Sequence, residues 1–254
     1  MQKKVLADIN AHALQQYPRE ACGLVLAMGR RQVYLPCNNS ASGDGAEQFR
    51  ISAEQYAAAE DQGKVLAVVH SHPNHTAVAS EADRVTCEGS GLPWHIVSVM
   101  PGPDDQPVVA DLQTIKPVGY KAPLIGREFH HGVLDCYALI RDWYAQEKGI
   151  TLPDFPRTDG WWERGEDLYM RQFGEAGFTV VPGGIDAVQP GDVILMQYRS
   201  PDNANHGGIY LGDVPGIGRS IMLHHLYGRL SERVVYGGYW AEITRAVLRH
   251  RELM

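Results

Sequence analysis

The sequence predicts an α+β fold made of two domains. In the first half, segments with helical spacing alternate with short apolar runs typical of strands, whereas in the second half helices come first and strands follow. Proline and glycine residues break the periodicity near the middle, so we expect a first domain at 1–115, a linker at 116–126 and a second domain at 127–254. A chain of 254 residues, 44% of them hydrophobic, is long enough to bury a core in each domain.

The first domain is predicted to be a mixed α/β sheet flanked by helices. Apolar residues at helical spacing indicate a first helix that Pro18 ends, and Ser52 with Gln55 has the signature of a second helix start. Apolar runs predict strands at 22–28, 32–35, 49–51, 65–69, 95–100 and 108–112, with a polar loop at 38–48. The continuous run at 65–69 is typical of a strand buried on both faces, and it delivers His70 and His72 to an edge of the sheet.

The second domain is predicted to pack helices on a small antiparallel sheet. A helix from Asp135 to Lys148 has apolar residues on one face and Cys136 in its first turn. A second helix is expected from Glu163 to about Glu175. Strands are predicted at 193–197, 207–212, 220–223, 234–236 and 243–248.

Charge and targeting signals exclude several classes of protein. A net charge of -7 argues against a nucleic-acid-binding surface, which needs clustered Lys and Arg to neutralise phosphates. The first residues run from two lysines into polar Asp8 and Asn10, so we expect no signal peptide, and no apolar run has the length of a transmembrane helix. Widely spaced cysteines in such a chain are expected to be reduced thiols.

His70, His72 and Asp83 have the spacing of a three-ligand metal site. Two imidazoles one residue apart can point to the same side of an extended segment, and a carboxylate in the first turn of a helix capped by Ser80 can close on the same point. Three nitrogen and oxygen ligands leave a fourth position for water, as in catalytic zinc sites. The four cysteines offer no rival site, because no two have CxxC spacing. Singly, a strand-end histidine and a helix-cap serine are ordinary structural features, but their joint spacing favours a Zn²⁺ site.

This pattern has an upstream acidic partner. Glu20 precedes Cys-Gly at the start of the first strand, and His70-Ser71-His72-Pro73, Ser80 and Asp83 follow. Together these residues resemble the JAMM (Mov34/MPN) metalloprotease motif. The resemblance implies zinc bound by the two histidines and the aspartate, with Glu20 as general acid/base and Ser80 helping to hold the oxyanion.

Cys136 is a candidate nucleophile in the second domain. A thiolate is stabilised at a helix N-terminus and by a nearby imidazole. His206 starts a predicted strand and is the candidate base, while His224 ends the next strand and is the candidate third member, with the adjacent His225 as an alternative. A buried cysteine and a strand-end histidine would give the same local signals.

The segment Asp135-Cys136, followed after a Pro-Gly-Asp turn by His206-Gly207-Gly208, resembles the NlpC/P60 family of papain-like cysteine peptidases. That family cuts peptide stems of bacterial cell walls with a cysteine, a histidine and a third polar residue that is often histidine. The resemblance covers most of residues 125–254. It implies a hydrolase that acts on peptidoglycan stem peptides.

A JAMM-like domain followed by an NlpC/P60-like domain resembles the tail assembly proteins of lambda-like bacteriophages. The resemblance implies synthesis in the host cytoplasm, a place at the virion tail tip, other tail-tip proteins as partners and action in the periplasm. Two enzymatic roles fit, namely cutting peptidoglycan or processing a tail protein. A non-catalytic assembly factor is the alternative from another class.

Overall fold

The computed structural model describes residues 1–41, 48–157 and 160–254. Part of the predicted polar loop at 38–48 therefore lies outside the described residues. The chain divides into two compact units, Met1–Lys121 and Ala122–Met254. Within the described ranges, no helix combines the length and the apolar character needed to cross a bilayer.

The first unit is a five-stranded sheet with helices on both faces. Its strands lie in the order β2-β1-β3-β4-β5, with β3 parallel to β4 and the other neighbours antiparallel. The elements are α1 (Lys3–Gln16), β1 (Cys22–Met28), β2 (Arg31–Cys37), α2 (Ala53–Glu60), β3 (Lys64–Pro73), α3 (Glu81–Ser90), β4 (Trp94–Pro101) and β5 (Pro107–Ile115).

Both faces of this sheet are covered. Helix α1 packs Val5 and Ile9 into one apolar cluster, and on the other face Ala59 of α2 and Cys87 of α3 join a second cluster with Trp94. This explains the continuous apolar run of β3, which is the central strand of the sheet. The strand is longer than the predicted 65–69, because β3 continues to Pro73 and the two histidines lie in its last four residues.

The predicted strand at 49–51 was also wrong. Side-chain and turn hydrogen bonds hold this segment instead of a sheet ladder: the N–H of Arg50 donates to the Asn39 side chain at 3.1 Å, and the N–H of Ser40 donates to the Arg50 carbonyl at 2.9 Å. The ring of Phe49 stacks on His70 with 4.6 Å between centroids. The apolar residue that suggested a strand therefore covers the candidate metal site.

The second unit packs its helices on a six-stranded sheet in the order β10-β9-β8-β7-β11-β6. All five neighbouring pairs in this sheet are antiparallel, as predicted. The elements are α4 (Cys136–Trp143), α5 (Leu168–Gln172), β6 (Phe178–Val180), β7 (Val193–Met196), β8 (His206–Val214), β9 (Gly218–His224), β10 (Glu232–Val235), α6 (Tyr239–Glu242) and β11 (Thr244–His250). Mixed helices and two sheets confirm the α+β class.

The two predicted helices of this unit differ in outcome. The first is helical to Lys148 as expected, with α4 followed by one π-helical turn at Tyr144–Lys148. Helix α5 covers only 168–172 of the expected 163–175, because Gly165 adopts a left-handed backbone conformation with φ of 73° and separates a preceding turn from the helix.

A β-bulge sets the register between β8 and β9. Tyr210 pairs with Met222 and Gly212 pairs with Ile221, so Leu211 has no partner across the ladder. Gly212 has φ of 72°, and a Cβ there would lie 2.8 Å from Cγ of Pro190, so this position requires glycine.

Candidate active sites

The three predicted metal ligands come together at the end of β3. His70 and His72 point to the same side of the strand, and their Nε2 atoms lie 3.0 Å apart. The carboxylate oxygens of Asp83 lie 3.2 Å from Nε2 of His70 and 3.4 Å from Nε2 of His72. All of these ligand atoms fall within 4.8 Å of one another, which is a set that can hold a metal ion.

The surroundings of the two imidazoles direct Nε2 toward the common point. Nδ1 of His72 lies 2.9 Å from the carbonyl oxygen of Thr76, so this nitrogen carries a proton and Nε2 is the ring nitrogen that faces the cluster. His70 is buried between Phe49 and Trp94, whose ring centroids lie 4.6 and 5.5 Å away. Two imidazole nitrogens and a carboxylate match the donors that zinc prefers.

Ser80 and Asp83 form a capping box at the start of α3, as predicted. Oδ2 of Asp83 accepts the N–H and the hydroxyl of Ser80, both at 2.8 Å, and the Ser80 oxygen accepts the N–H of Asp83 at 3.0 Å. Burial alone would raise the pKa of Asp83, but hydrogen bonds from His70 and His72 hold it well below its usual range. Ser80 therefore orients the ionised carboxylate of Asp83. A contact of Ser80 with an oxyanion stays a prediction.

Glu20 lies beside the metal-ligand strand. It is buried and immediately precedes the segment that pairs with β3, where Cys22 lies opposite His70. Burial lowers the pKa of His72, but hydrogen bonding to Asp83 and the charges of Asp83 and Glu20 outweigh it and raise this pKa. The carboxylate of Glu20 thus acts electrostatically on the cluster, and its role as general acid/base stays a prediction.

Ser71, between the two histidines, holds the Glu20 segment in place. Its hydroxyl accepts the N–H of Ala21 at 2.8 Å, and its own N–H donates to the Ala21 carbonyl at 2.9 Å. The side chain of Ser71 is fully enclosed. The same strand therefore positions the metal ligands and the acidic residue.

In the second unit, Cys136 is the first residue of α4, as predicted. The preceding Asp135 caps the helix by accepting the N–H of Ala138 at 2.9 Å. Its carboxylate also accepts Nε of Arg157 at 2.6 Å and the N–H of Gly132 at 3.0 Å. The ion pair between Asp135 and Arg157 is buried on both sides, so it fixes the position of the turn that carries the Cys136 thiol.

The Cys136 thiol is enclosed and contacts Tyr169 of α5. Its Sγ atom lies 3.0 Å from the Tyr169 hydroxyl. Burial and the charge of Asp135 raise the pKa of the thiol to about 11, while hydrogen bonds from Tyr169 and from the backbone of Gly207 and the charge of Arg157 act in the opposite direction. The resting group at neutral pH is therefore the thiol.

His206 and His224 face each other across β8 and β9. Nε2 of His206 lies 3.0 Å from Nδ1 of His224, and the His224 ring packs edge-on against Trp240 with 4.7 Å between centroids. His225 points elsewhere, because its Nε2 lies 3.1 Å from the Arg229 carbonyl. Of the two alternatives for a third member, the structure brings His224 to the candidate base.

Cys136 and His206 line one cavity, whose wall is rich in aromatic rings. Trp161 and Trp162 both contribute to it. Further aromatic lining residues are Phe129, Tyr169, Tyr198 and Tyr227. Burial, followed by the charges of His224 and His225, lowers the pKa of His206 well below its ordinary value, so the cavity holds a neutral imidazole and a neutral thiol.

Comparison with known proteins finds a separate family for each of the two units. A family model described as prokaryotic homologs of the JAB domain matches residues 2–111, and the NlpC/P60 family model matches residues 126–249. Tail tip assembly protein K of Escherichia phage N15 is 42% identical to this sequence, over 100% of this chain and 97% of that protein. The chain belongs to the tail tip assembly protein K family.

Other relatives of this K-family chain are more distant or shorter. Tail tip assembly protein K of Escherichia phage lambda is 39% identical, over 79% of this chain and 89% of that protein. A solution structure of a Desulfitobacterium hafniense protein is 26% identical over 46% of this chain and 89% of that chain, with a TM-score of 0.34. The order of a JAB-like domain followed by an NlpC/P60 domain, predicted from the motifs, is confirmed for the K-family chain.

Sequence reasoning missed three residues that shape the sites of the K-family chain. Tyr169 touches the sulfur from 33 positions along the chain, and Arg157 reaches Asp135 from 22 positions away. No local pattern marks such contacts. Ser71 was within the motif, but its bond to Ala21 spans 50 positions and depends on the pairing of β1 with β3.

Proposed function

We propose that this protein is a tail-tip peptidase of a phage or prophage that uses Cys136 to cut stem peptides of bacterial peptidoglycan. The observation that supports this best is a thiol at a helix start in the same cavity as His206, which His224 holds by a hydrogen bond. Membership of the K family supports a place at the tail tip and contact with other tail proteins. The NlpC/P60 match supports peptidoglycan as substrate and the periplasm as the place of action.

In the proposed reaction, the bond between the two histidines selects the nitrogen that works as the base. With Nε2–H of His206 donating to His224, Nδ1 of His206 accepts the proton of the Cys136 thiol. The sulfur attacks the peptide carbonyl carbon, and the carbonyl electron pair moves to oxygen. Collapse of this intermediate expels the amine, which takes the proton from His206. Water deprotonated by His206 then hydrolyses the thioester and restores the thiol.

The first test is digestion of purified cell-wall sacculi. Wild-type protein is expected to release muropeptides, and Cys136→Ala to release none. Equal release by both proteins would refute Cys136 as the nucleophile. If neither releases peptides but a co-expressed tail protein is trimmed, the processing role replaces the cell-wall role; if nothing is cut in either assay, the non-catalytic assembly role replaces both.

We further propose a second peptidase site, for an isopeptide or tail-protein bond, at His70, His72 and Asp83. When bound there, zinc supplies Lewis acidity and a water of lowered pKa. The three side chains would hold the ion. Glu20 would accept the proton of the attacking water and pass it to the leaving amine. Ser80 keeps Asp83 in position and would be a candidate contact for the oxyanion.

The metal proposal has its own test. Purified protein is expected to contain about one equivalent of zinc, and the His70→Ala, His72→Ala double variant to contain none, because it retains one ligand of three. A protein that is purified without metal and takes up none on reconstitution would refute the site.

A further inference from the structure

We infer that Tyr169 is a catalytic residue of the cysteine site, with its hydroxyl donating a hydrogen bond to the sulfur once Cys136 has lost its proton. This rests on the proposed role of Cys136 as nucleophile. The contact of 3.0 Å between the Tyr169 hydroxyl and Sγ involves the reacting atom itself.

The packing of the Tyr169 ring fixes the direction of its hydroxyl. The ring stands edge-on to Trp161, with 5.3 Å between centroids, and its next aromatic neighbour is Tyr137 at 6.3 Å. Tyr169 lines both the cavity that holds the thiol and an apolar cavity lined by Leu168, Phe173 and other residues. A tyrosine that served only as core would not need to aim its oxygen at sulfur.

The chemistry assigns the donor without ambiguity once the proton has moved. In the resting state either group can donate, because both are protonated. When His206 has taken the thiol proton, the sulfur can only accept, and the phenol O–H is the donor. Burial, with the nearby Cys136 and Asp135 charges, raises the pKa of Tyr169 well above its ordinary value, so the phenol stays protonated while the thiolate forms. No atom of Tyr169 is transferred.

The size of the effect follows from how thiols react. A donor that stabilises the thiolate by one pKa unit raises the thiolate fraction about tenfold at a pH well below the pKa. The intrinsic nucleophilicity of a thiolate falls as its pKa falls, with a Brønsted slope of about 0.4–0.5, so each thiolate reacts about threefold more slowly when the pKa is one unit lower. The net gain in the rate of sulfur attack is therefore about threefold.

The test is the pH dependence of alkylation of Cys136 by iodoacetamide, followed by mass spectrometry of the peptide that contains it. Compared with wild type, Tyr169→Phe is expected to move the midpoint about one unit to higher pH, because the thiolate loses a donor. The matched control is Tyr144→Phe, which removes another buried hydroxyl of the same core, bonded at 2.5 Å to the Gly191 carbonyl, without touching the sulfur. It is expected to leave the midpoint unchanged.

A second substitution keeps the hydroxyl and is expected to shift the alkylation midpoint in the opposite direction. Site-specific replacement of Tyr169 by 3-fluorotyrosine makes the phenol a stronger donor and is expected to lower the midpoint. An unchanged midpoint in both variants, or the same shift in Tyr144→Phe, would overturn the inference. The alkylation readout needs no substrate, so the two proposals can fail separately. A shifted midpoint with undigested sacculi supports the hydrogen bond from Tyr169 and refutes the cell-wall role. Unshifted midpoints with digested sacculi refute the hydrogen bond from Tyr169 and support the cell-wall role.

Discussion

The hydroxyl of Ser71 accepts the backbone N–H of Ala21 at 2.8 Å, so the residue between the two candidate metal ligands His70 and His72 also secures the residue after Glu20. A second bond, from the Ser71 N–H to the Ala21 carbonyl, completes the pair. The strand that carries the ligands thus fixes the distance between them and the proposed proton acceptor, without any contact between the Glu20 side chain and Ser71 being required.

Ser71→Ala is expected to loosen this connection while leaving the metal ligands intact. The buried N–H of Ala21 would lose its acceptor, at a cost of about 1–3 kcal/mol in the free energy of unfolding of the first unit. Hydrogen exchange at the Ala21 amide should become faster, with zinc content unchanged. The control is Ser98→Ala, which removes another buried hydroxyl, bonded to the His75 carbonyl at 2.6 Å, and should leave the Ala21 amide protected. Equal protection in both variants would contradict this role.

Ser80→Ala is expected to weaken metal binding through Asp83. The aspartate would lose the hydroxyl that donates to it at 2.8 Å, and loss of such a supporting bond typically costs about 10–100-fold in metal affinity. The helix cap is lost as well, at about 0.5–2 kcal/mol. Ser52→Ala separates the two effects, because Ser52 caps α2 in the same way and no metal ligand lies in that helix. Competition of zinc with a chromophoric chelator should show weaker binding in the Ser80 variant alone; equal affinities would argue against the coupling.

Acid is expected to destabilise the second unit between pH 6.5 and about 4. Burial lowers the pKa of His224 and of His225 from 6.5 to about 4. The charges of His225 and Arg229 add to this effect at His224, and the charge of Arg127 adds to it at His225. The pKa of His206 is lowered as well. The folded state therefore binds fewer protons than the unfolded state. Its stability is fully present above pH 6.5 and falls as the pH decreases, by up to about 1.4 kcal/mol per pH unit for each histidine.

Urea unfolding followed by tryptophan fluorescence measures this loss, since four of the five tryptophans lie after residue 121. His225→Gln removes one of the titrating groups, so its stability should depend less steeply on pH than that of wild type. Asp135 has a lowered pKa, so its own contribution is lost only at more acidic pH and does not affect this interval. A stability that is flat from pH 7.5 to 4.5 would contradict the prediction.

Arg157→Met is expected to destabilise the second unit strongly. It leaves the carboxylate of Asp135 buried without its counter-ion, and breaking a buried pair in this way costs about 3–5 kcal/mol. Adding Asp135→Asn should restore part of the loss, because the amide still caps the helix without carrying charge. Arg219→Met breaks an exposed pair with Asp213, at 3.5 Å, and should cost at most about 1 kcal/mol by urea unfolding. Similar losses in the free energy of unfolding in both single variants would contradict a larger role of the buried pair in stability.

Much of the fold could be predicted because its signals are local. The metal ligands lie within fourteen positions along the chain, from 70 to 83, and a strand followed by a capped helix determines where they point. The start of α4 at Cys136 was predicted for the same reason, since Asp135 is a local cap. These features follow from neighbouring residues alone.

The remainder depends on contacts between distant parts of the chain. Phe49 has the apolar character of a strand residue, yet it stacks on His70, and only tertiary packing distinguishes the two outcomes. The choice of His224 over His225 depends on the pairing of β9 with β8, and the contact of Tyr169 with Cys136 depends on where α5 packs. A single sequence does not specify such positions.

The alignment of the two candidate-site histidines, His206 and His224, depends on the pairing of β8 with β9. His224 lies opposite Gly208, and His206, two positions earlier on the same strand, shares its face. Deleting Gly207 would carry the His206 side chain to the opposite face of β8, away from His224, whereas deleting the bulged Leu211 would leave the pairs of Gly208 with His224 and of Tyr210 with Met222 in place. Length variation between related proteins should therefore accumulate in the turn at 215–217 and spare the strand segment from His206 to Gly208.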